Sequence, residues 1–288
     1  MKKGQIIRII AGFFDVLNDQ KKEIRLRGSG KLRNSNIIPL VGDIVEYDES
    51  GFVHKVLDRK NFFTRPKIAN IDQAIIVMSI KEPDFSNLLL DKFLLISESK
   101  EIEPIILITK IDLKFNYQKI VDDYLKMNYK IYFIDNNNPK TIENIKKANL
   151  FENKLSVFMG QSGVGKTSII NNLSDNNFLT QQISKSLNRG KHTTRVVQII
   201  DWNSGQLIDT PGFSSFSIEL DKKQIATGFK IFKENAFLCK FRSCLHYQEN
   251  EKECKIKMMV NENKIPMQRY LNYLSFLKEI LGENNEKN

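Results

Sequence analysis

Short runs of alternating apolar and polar residues fill the first 65 positions of the 288-residue chain. The runs QIIRIIAGFFDVL, KEIRLRG, DIVEYDE and GFVHKVL are separated by turn residues that include Gly28, Gly30, Gly42 and Gly51. Many short strands with glycine-bearing turns are typical of a small closed barrel. The pattern predicts an oligonucleotide-binding (OB) type β-barrel over residues 1–66, although an SH3-like barrel would leave a similar pattern.

From residue 67 to residue 217 the pattern changes to apolar strands that alternate with amphipathic stretches of helix length. The predicted helices lie near 86–99, 116–127 and 140–148. The predicted strands are IDQAIIVMSI (71–80), PIILITKID (104–112), YKIYFI (129–134), KLSVFMG (154–160), RVVQIIDW (195–202) and GQLIDT (205–210). This alternation predicts an α/β domain with a parallel sheet covered on both faces.

Residues 218–288 have a helical pattern. DKKQIATGFKIF and PMQRYLNYLSFLKEIL carry apolar residues at mixed spacings of three and four, which is typical of amphipathic helices. All three cysteines of the chain fall between these two segments. The chain is therefore predicted to be multidomain, with a third, helical domain at its C-terminal end.

The charge distribution favours a polyanionic partner. The formal net charge is +10, and residues 1–67 hold 14 Lys/Arg against 8 Asp/Glu. A basic excess of this kind attracts nucleic acid through counterion release, although a merely solvated basic face would look the same. No run approaches the roughly 20 apolar residues of a membrane span, so the sequence predicts no membrane association, a cytoplasmic location and, by default, a monomer.

The strongest motif is GQSGVGKT at 160–167, which follows the predicted strand KLSVFM and opens the helix KTSIINNL. A GxxxxGK[ST] motif in that context is a phosphate-binding loop, in which backbone N–H groups and a helix N-terminus face the phosphates. The Lys166 ammonium can reach the outer phosphates, and the Thr167 hydroxyl can ligate Mg²⁺. The predicted phosphate-site residues are Gly160, Gln161, Ser162, Gly163, Val164, Gly165, Lys166, Thr167 and Ser168.

Two later segments resemble the switches of a nucleotide hydrolase. LIDTPG at 207–212 delivers Asp209, which would hold Mg²⁺ through water, and Gly212, whose backbone can face a terminal phosphate. NRGKHTTR at 188–195 could fold over the nucleotide, with Thr193 or Thr194 as the sensor. His192 could orient the attacking water, because Phe213 stands where many GTPases carry Gln; a solvent-facing histidine is the alternative.

The string TKID has the chemistry of a guanine-reading element. The Asp112 carboxylate can accept two hydrogen bonds from the guanine ring. The string also ends an apolar strand, so its loop emerges at the carboxyl edge of the sheet, where ligands bind. This element precedes the phosphate loop, the reverse of the ordinary order. A circularly permuted sheet accounts for that order, and the predicted guanine-site residues are Thr109, Lys110, Ile111 and Asp112.

These motifs together resemble the RsgA/YjeQ family of circularly permuted, ribosome small-subunit-dependent GTPases. The resemblance extends over the basic barrel, RPKIANIDQ, TKID, GQSGVGKTSIIN, GKHTTR, DTPGFSSF and the cysteine cluster. It implies a late assembly factor that binds small-subunit precursors and their rRNA, hydrolyses GTP faster on the particle, and leaves afterwards. Thr109 departs from the more usual Asn, and the second base-contacting element appears only as FIDNNN (133–138).

The cysteine-bearing segment predicts a structural zinc site. Cys239, Cys244, His246 and Cys254 give the spacing C-x4-C-x-H-x7-C, and four such ligands suit closed tetrahedral coordination. Three ordinary buried thiols are the alternative. The gap between His246 and Cys254 is two residues longer than is usual in the family that the chain resembles, so Cys254 is the least secure ligand.

The sequence therefore predicts three parts: an OB-type barrel (1–66), a circularly permuted P-loop GTPase domain (67–217) and a helical zinc-binding domain (218–288). The predicted reaction is hydrolysis of GTP with Mg²⁺, slow in the isolated protein because the switch lacks Gln and no arginine finger is evident in cis. One rival is an RNA-binding module in which the nucleotide is structural and never hydrolysed. A second rival is an ATPase, which would make Asp112 irrelevant.

Overall fold

The computed structural model describes residues 1–113, 118–135, 138–174, 197–209 and 218–282. The chain forms two compact units, each assembled from separate stretches of sequence. Unit 1 contains Met1–Gln73, Asn144–Phe158 and Lys166–Phe213, and unit 2 contains Ala74–Glu143, Met159–Gly165 and Ser214–Asn288. The predicted three-domain division remains a prediction beside this two-unit description.

The N-terminal part of unit 1 is a closed five-stranded barrel. Its strands are β1 (Lys2–Ile10), β2 (Phe13–Asn18), β3 (Glu23–Gly28), β4 (Ile44–Tyr47) and β5 (Phe52–Val56). The order is β1-β2-β3-β5-β4, and β4 pairs back onto β1. Alternate side chains fill the interior, where Ile6, Val16, Val45 and Val53 have no exposed surface. The barrel confirms the OB-type prediction.

The basic loop between β3 and β4 contains a short helix, α1 (Gly30–Arg33). The Ser29 hydroxyl accepts a hydrogen bond from the Leu32 N–H at 3.2 Å, which caps the helix. Leu32 is buried in the barrel core, so Lys31 and Arg33 are left exposed on the outer side. This basic loop is thus anchored by one apolar side chain.

The remainder of unit 1 contains strands that continue the sheet of the barrel and one small separate sheet. The separate sheet is the antiparallel pair β6 (Phe62–Phe63) and β7 (Ile68–Ala69). The other elements are β11 (Leu155–Met159), α5 (Lys166–Leu173), β12 (Gln198–Trp202) and β13 (Gly205–Asp209), and the residues of α4 (Pro139–Lys147) are divided between the two units. β13 pairs parallel with β11 and antiparallel with β12. β12 pairs in turn with β1, so the predicted parallel sheet ends in an antiparallel hairpin.

Unit 2 contains the strands β8 (Gln73–Ser79), β9 (Glu103–Thr109) and β10 (Lys130–Ile134) in the order β10-β9-β8. β9 and β10 are parallel. The helices α2 (Asn87–Glu98) and α3 (Gln118–Lys126) connect them. All seven residues of β8 are buried, as expected for a central strand that is covered on both faces.

The C-terminal part of unit 2 is helical, as predicted, but its first segment is broken. The helices are α6 (Lys222–Ala226), α7 (Lys230–Lys233), α8 (Lys255–Asn261) and α9 (Met267–Leu281). DKKQIATGFKIF forms two short helices that are separated at residues 227–229, and Gly228 lies so close to α2 that a Cβ atom there would come 2.4 Å from Leu95 Cδ1. α9 packs along α2 and ends at Gly282, whose φ is +75°.

Candidate nucleotide and metal sites

The phosphate loop follows the fully buried strand β11 and leads into α5, which begins at Lys166. Gly160, Gly163 and Gly165 have positive φ angles of +148°, +84° and +95°. Gly160 is sterically required, since a Cβ atom there would lie 2.4 Å from the Val77 carbonyl oxygen. Val164 is buried while Ser162 and Gly163 are exposed, so the loop is anchored by one apolar side chain and presents its backbone outward.

Lys166, Thr167 and Ser168 form the first turn of α5, as the sequence predicts. Lys166 and Thr167 are half-buried, whereas Ser168 and the earlier Ser162 are exposed. Burial lowers the pKa of the Lys166 ammonium group to about 8. A phosphate group nearby would favour the charged form, so the side chain is suited to an anionic ligand.

Thr109, at the end of β9, contacts the phosphate loop directly. Its side chain is 2% exposed, and its hydroxyl group lies 2.7 Å from the Val164 carbonyl oxygen and 3.3 Å from that of Met78. The shorter contact joins residues 55 positions apart in the chain. The TKID string and the phosphate loop therefore lie side by side, as a single nucleotide site requires.

The residues after Thr109 turn out of the sheet. Lys110 has a φ of +57°, and its ammonium group donates a hydrogen bond to the Glu82 carbonyl oxygen. Ile111 and Asp112 lie in a short 3-10 turn, with Asp112 exposed. The carboxylate is accessible to a ligand, and its role in reading guanine remains a prediction.

Only the backbone position of Asp209 is described. β13 runs parallel to β11 with Ile208 opposite Val157, so Asp209 ends its strand at the same edge at which β11 leads into the phosphate loop. The other predicted switch residues, His192, Thr193, Thr194 and Gly212, lie outside the described residues. Their roles remain predictions.

The predicted second base-contacting segment, FIDNNN, begins on β10. Ile134 pairs with Thr109 in the parallel register, so Asp135 leaves the sheet beside the TKID string. The Thr141 hydroxyl then donates to the Asn138 carbonyl oxygen at 2.8 Å and closes the turn. Asp135 therefore lies at the edge of the sheet where the TKID string lies, residues 136 and 137 lie outside the described residues, and no base contact is assigned to the segment.

The four predicted metal ligands come together in the C-terminal part of unit 2. The ligand atoms of Cys239, Cys244, His246 and Cys254 all lie within 4.8 Å of one another. The His246 Nδ1 atom is 3.7, 3.2 and 3.4 Å from the sulfur atoms of Cys239, Cys244 and Cys254. Tetrahedral zinc with these donors requires separations of about 3.5 Å, so the cluster fits one zinc ion, including the least secure ligand, Cys254.

The surroundings of His246 suit a metal ligand. Its Nε2 atom lies 3.2 Å from the Ala226 carbonyl oxygen, which assigns the proton to Nε2 and leaves the Nδ1 lone pair facing the sulfurs. Burial lowers the pKa of His246 to about 4, so the ring is neutral. Burial also raises the pKa of the Cys244 thiol, and a bound cation would offset the cost of forming thiolates there.

The two extra residues between His246 and Cys254 do not displace the ligands. The Glu249 carboxylate accepts hydrogen bonds from the Leu245 and Tyr247 N–H groups at 2.7 and 2.8 Å. The Lys257 ammonium group donates to the Tyr247 and Glu249 carbonyl oxygens at 2.7 and 2.6 Å. The longer segment is thus folded into a closed turn, and Cys254 reaches the cluster.

A buried polar cluster that sequence reasoning missed joins α2 to α9. Arg269 and Asp91 are each 1% exposed, and Arg269 Nε lies 2.9 Å from Asp91 Oδ1. Asn272 and Tyr124 donate to the same carboxylate at 2.6 and 2.9 Å, and Arg269 Nη1 donates to the Tyr129 hydroxyl at 3.0 Å. A charged residue inside an amphipathic helix gave no signal that it would be buried.

No helix among the described residues is long and apolar enough to span a membrane. The parallel strands, the phosphate loop after β11 and the TKID element on an earlier strand together define a circularly permuted P-loop GTPase.

Comparison with known proteins identifies the family. The RsgA GTPase family model matches residues 56–219, and the RsgA N-terminal domain model matches residues 3–51. The small ribosomal subunit biogenesis GTPase RsgA of Mesomycoplasma hyopneumoniae strain J is 53% identical over 99% of both chains. The protein of the same name from Bacillus subtilis strain 168 is 39% identical over 97% of this chain and 98% of its own. The chain belongs to the RsgA GTPase family.

Solved structures agree. The crystal structure of YloQ, described as a circularly permuted GTPase, is similar with a TM-score of 0.77 and 33% identity, covering 100% of this chain and 97% of that one. The crystal structure of YjeQ from Thermotoga maritima gives a TM-score of 0.78 and 30% identity over 98% and 99% of the two chains. The predictions of family, fold class and GTPase activity are confirmed.

Proposed function

We propose that this protein hydrolyses GTP as a late assembly factor of the small ribosomal subunit, binds its rRNA and is released after hydrolysis. The observation that carries the proposal is the 2.7 Å contact between the Thr109 hydroxyl and the Val164 carbonyl oxygen. This contact brings a guanine-type element to a phosphate loop. Relatives named as small ribosomal subunit biogenesis GTPases match the chain along nearly its whole length.

In the proposed reaction, this chain positions and neutralises the phosphates of GTP, because phosphoryl transfer depends mainly on positioning and electrostatics. The loop 160–165 supplies backbone N–H groups, and Lys166 supplies a positive charge to the outer phosphates. Thr167 and Asp209 would hold Mg²⁺, which offsets the charge that develops on the phosphates. Asp112 reads guanine. His192 and one of Thr193 and Thr194 complete the site, with Gly212 facing the terminal phosphate.

The barrel is the proposed rRNA-binding surface. Twelve of its 14 basic side chains up to residue 67 are exposed, including Lys31 and Arg33 of the α1 loop. Exposed Lys and Arg side chains of this density favour a phosphate backbone over a neutral partner. The side chain of Arg8 instead serves the fold, through its 2.7 Å contact with buried Asp15.

The proposal also includes the domain bounds, the metal ion, the location and the oligomeric state of the protein. We assign the barrel to 1–66, the GTPase domain to 67–217 and the helical zinc-binding domain to 218–288. One structural zinc ion is assigned to Cys239, Cys244, His246 and Cys254. The protein is assigned to the cytoplasm, where bacterial ribosomes are assembled, as a monomer.

The test is phosphate release from GTP and from ATP by the purified protein, each with and without small ribosomal subunits. We expect release that is selective for GTP, slow in the isolated protein and much faster with subunits. Lys166→Ala is expected to remain folded and lose this activity by about 10²- to 10³-fold, since it removes a group that stabilises transition-state charge.

The same experiment separates the rival functions. An RNA-binding module with a structural nucleotide would bind GTP tightly and release no phosphate under either condition. An ATPase would release phosphate from ATP at least as fast as from GTP. Either result would overturn the proposed function.

A further inference from the structure

The segment between β8 and α2, residues 80–86 with the sequence IKEPDFS, lies against both halves of the nucleotide site. This 80–86 loop contains none of the motifs that predict nucleotide binding. Its first residue donates an N–H hydrogen bond to the Thr109 carbonyl oxygen at 3.1 Å, and the loop is closed by a Phe85 N–H to Ile80 carbonyl bond of 3.2 Å. The loop is thus attached to β9 at the position where the TKID string begins.

The loop contacts the guanine-type element through a backbone carbonyl group. The Lys110 ammonium group donates a hydrogen bond to the Glu82 carbonyl oxygen. Both residues have unusual backbone conformations for side chains of their size, with φ angles of +57° and +55°. Such conformations persist where surrounding contacts determine them. The position of the Lys110 side chain is therefore set together with that of the loop.

A proline ring of the same loop lies close to the phosphate loop. A Cβ atom built on Gly163 would lie 3.8 Å from Pro83 Cδ, an ordinary van der Waals distance, so the ring lies beside that exposed glycine. Gly163 stands with its φ of +84° in the centre of the phosphate loop. One short segment therefore contacts the TKID string and lies beside the phosphate loop, the two elements that must be held together around a nucleotide.

A buried hydroxyl group fixes this segment. Ser79, the last residue of β8, is 2% exposed, and its hydroxyl donates to the Pro83 carbonyl oxygen at 2.6 Å. The bond spans four residues and holds Glu82 and Pro83 against the end of the strand. Without it the carbonyl that receives the Lys110 ammonium group would be free to move.

We propose that the 80–86 loop is a positioning element of the nucleotide site: Ser79 fixes Pro83 and Glu82, and these residues in turn hold Gly163 and Lys110 in the arrangement that binds guanine nucleotides. Holding a binding side chain in place before the ligand arrives reduces the entropy lost on binding. Ser79 and Pro83 are thus positioning residues for affinity and not catalytic residues. The inference rests on the proposed function in taking a guanine nucleotide as the ligand.

The test is Ser79→Ala, measured as the dissociation rate of a fluorescent GDP analogue and as KM and kcat for GTP with small subunits. We expect dissociation to become about five- to tenfold faster, as for the loss of an ordinary hydrogen bond. KM for GTP should rise in step, and kcat at saturating GTP should stay within about twofold because the reacting phosphates keep their partners.

Ser97→Ala is the matched control. Ser97 is fully buried, and its hydroxyl also donates to a backbone carbonyl, that of Phe93 at 2.8 Å, and lies 3.7 Å from Met159 Sδ, but it lies in the last turn of α2. It should leave the nucleotide dissociation rate unchanged while lowering the melting temperature about as much as Ser79→Ala. A merely structural role for Ser79 would make the two variants alike, and that result would overturn the inference.

Lys110→Met provides the second comparison. If Ser79 acts largely through Lys110, the double variant Ser79→Ala/Lys110→Met should dissociate within about twofold of Lys110→Met alone, since coupled residues are not additive. If the increases in dissociation rate of the two single variants multiply in the double variant, the inference is contradicted. Pro83→Gly, at a half-buried position, should accelerate dissociation in the same direction and replaces Ser79→Ala if that variant fails to fold.

Failure of the inference and failure of the proposed function give different results. A wild-type protein that binds GDP and hydrolyses GTP, with a Ser79→Ala variant that behaves like Ser97→Ala, would remove only the role of the 80–86 loop. A wild-type protein that binds no guanine nucleotide would contradict both the inference and the proposed function.

Discussion

The nucleotide site and the metal cluster lie in the same chain but consist of different kinds of chemical group. The nucleotide elements of unit 2 expose backbone groups and one carboxylate, and their main buried side-chain contact is that of Thr109 with Val164. The metal cluster consists of four side chains, of which His246 and Cys254 have no exposed surface. A loop of backbone groups can exist before its ligand binds, whereas buried cysteines that bind a metal as thiolates are stable only with the cation present.

The difference predicts that loss of a metal ligand has a large effect on stability. Cys254→Ser should abolish stoichiometric zinc binding and lower the melting temperature by about 10 °C, because a ligand at a thousandfold excess over its dissociation constant stabilises by about 4 kcal/mol. Zinc content by mass spectrometry and thermal unfolding measure both. Ser243→Ala, at an exposed position in the same segment, is the control. A Cys254→Ser protein with full zinc content and unchanged stability would show that the cluster is ordinary buried thiols.

Arg269 belongs to a group of contacts that join α9 to α2 and to the metal cluster. It pairs with Asp91 of α2, while its neighbours in α9, Tyr270 and Tyr273, donate hydrogen bonds to the His246 and Leu245 carbonyl oxygens of the metal cluster. Arg269→Met should destabilise the protein by about 3–5 kcal/mol in urea unfolding, because it leaves a buried carboxylate unpaired.

The exposed pair Lys233 and Glu101 is the matched control, since Lys233→Met should lower the stability far less than Arg269→Met does. Equal costs for the two substitutions would mean that the α2 to α9 cluster contributes no more than a surface ion pair.

Thr109→Val tests a buried side-chain contact that joins the two nucleotide motifs. Valine keeps the shape and removes the hydroxyl, so the Val164 carbonyl oxygen loses a donor at a cost of about 1–3 kcal/mol. We expect GDP to dissociate about tenfold faster, while Thr109→Ser stays near the wild type. Thr227→Val, which removes an exposed hydroxyl that donates to the Lys223 carbonyl oxygen, should change nothing. An unchanged GDP dissociation rate in Thr109→Val would show that this contact does not couple the TKID string to the phosphate loop.

The smallest effect is a pH dependence that belongs to the nucleotide site. The pKa of Lys166 is lowered to about 8 by burial, and a bound phosphate would raise it again. Nucleotide affinity should therefore be nearly constant below pH 7 and fall by up to about tenfold per unit as pH rises above 8, where Lys166 of the nucleotide-free protein becomes neutral. Equilibrium binding of GDP from pH 6.5 to 9 measures this. Lys166→Met should bind weakly with a flat profile, and an equally flat wild-type profile would contradict the assignment.

Sequence reasoning located the elements that depend on local pattern. The phosphate loop needed glycines between a strand and a helix, and the position of Thr109 followed from the rule that ligands bind at the carboxyl ends of parallel strands. Cys239, Cys244, His246 and Cys254 were found because metal ligands have characteristic spacing. Each of these signals lies within a short stretch of residues.

What sequence reasoning missed depends on contacts between distant residues. Asn272 and Asp91 are 181 positions apart, and Arg269 in an amphipathic helix resembles a surface residue until α9 is placed on α2. The hydrogen bond from Lys110 to Glu82 uses a backbone carbonyl, which no side-chain pattern can indicate. The close approach of Gly228 to Leu95 likewise becomes visible only in the packed structure.

The most direct test of the central claim, that TKID and GQSGVGKT form one guanine nucleotide site, is the nucleotide preference of Asp112→Asn. Phosphate release from GTP and from xanthosine triphosphate would be measured for the wild type and the variant with small subunits present. The account predicts that the wild type prefers GTP and that the variant prefers xanthosine triphosphate, because an amide complements the xanthine ring as a carboxylate complements guanine. A variant that keeps the wild-type preference for GTP would contradict it.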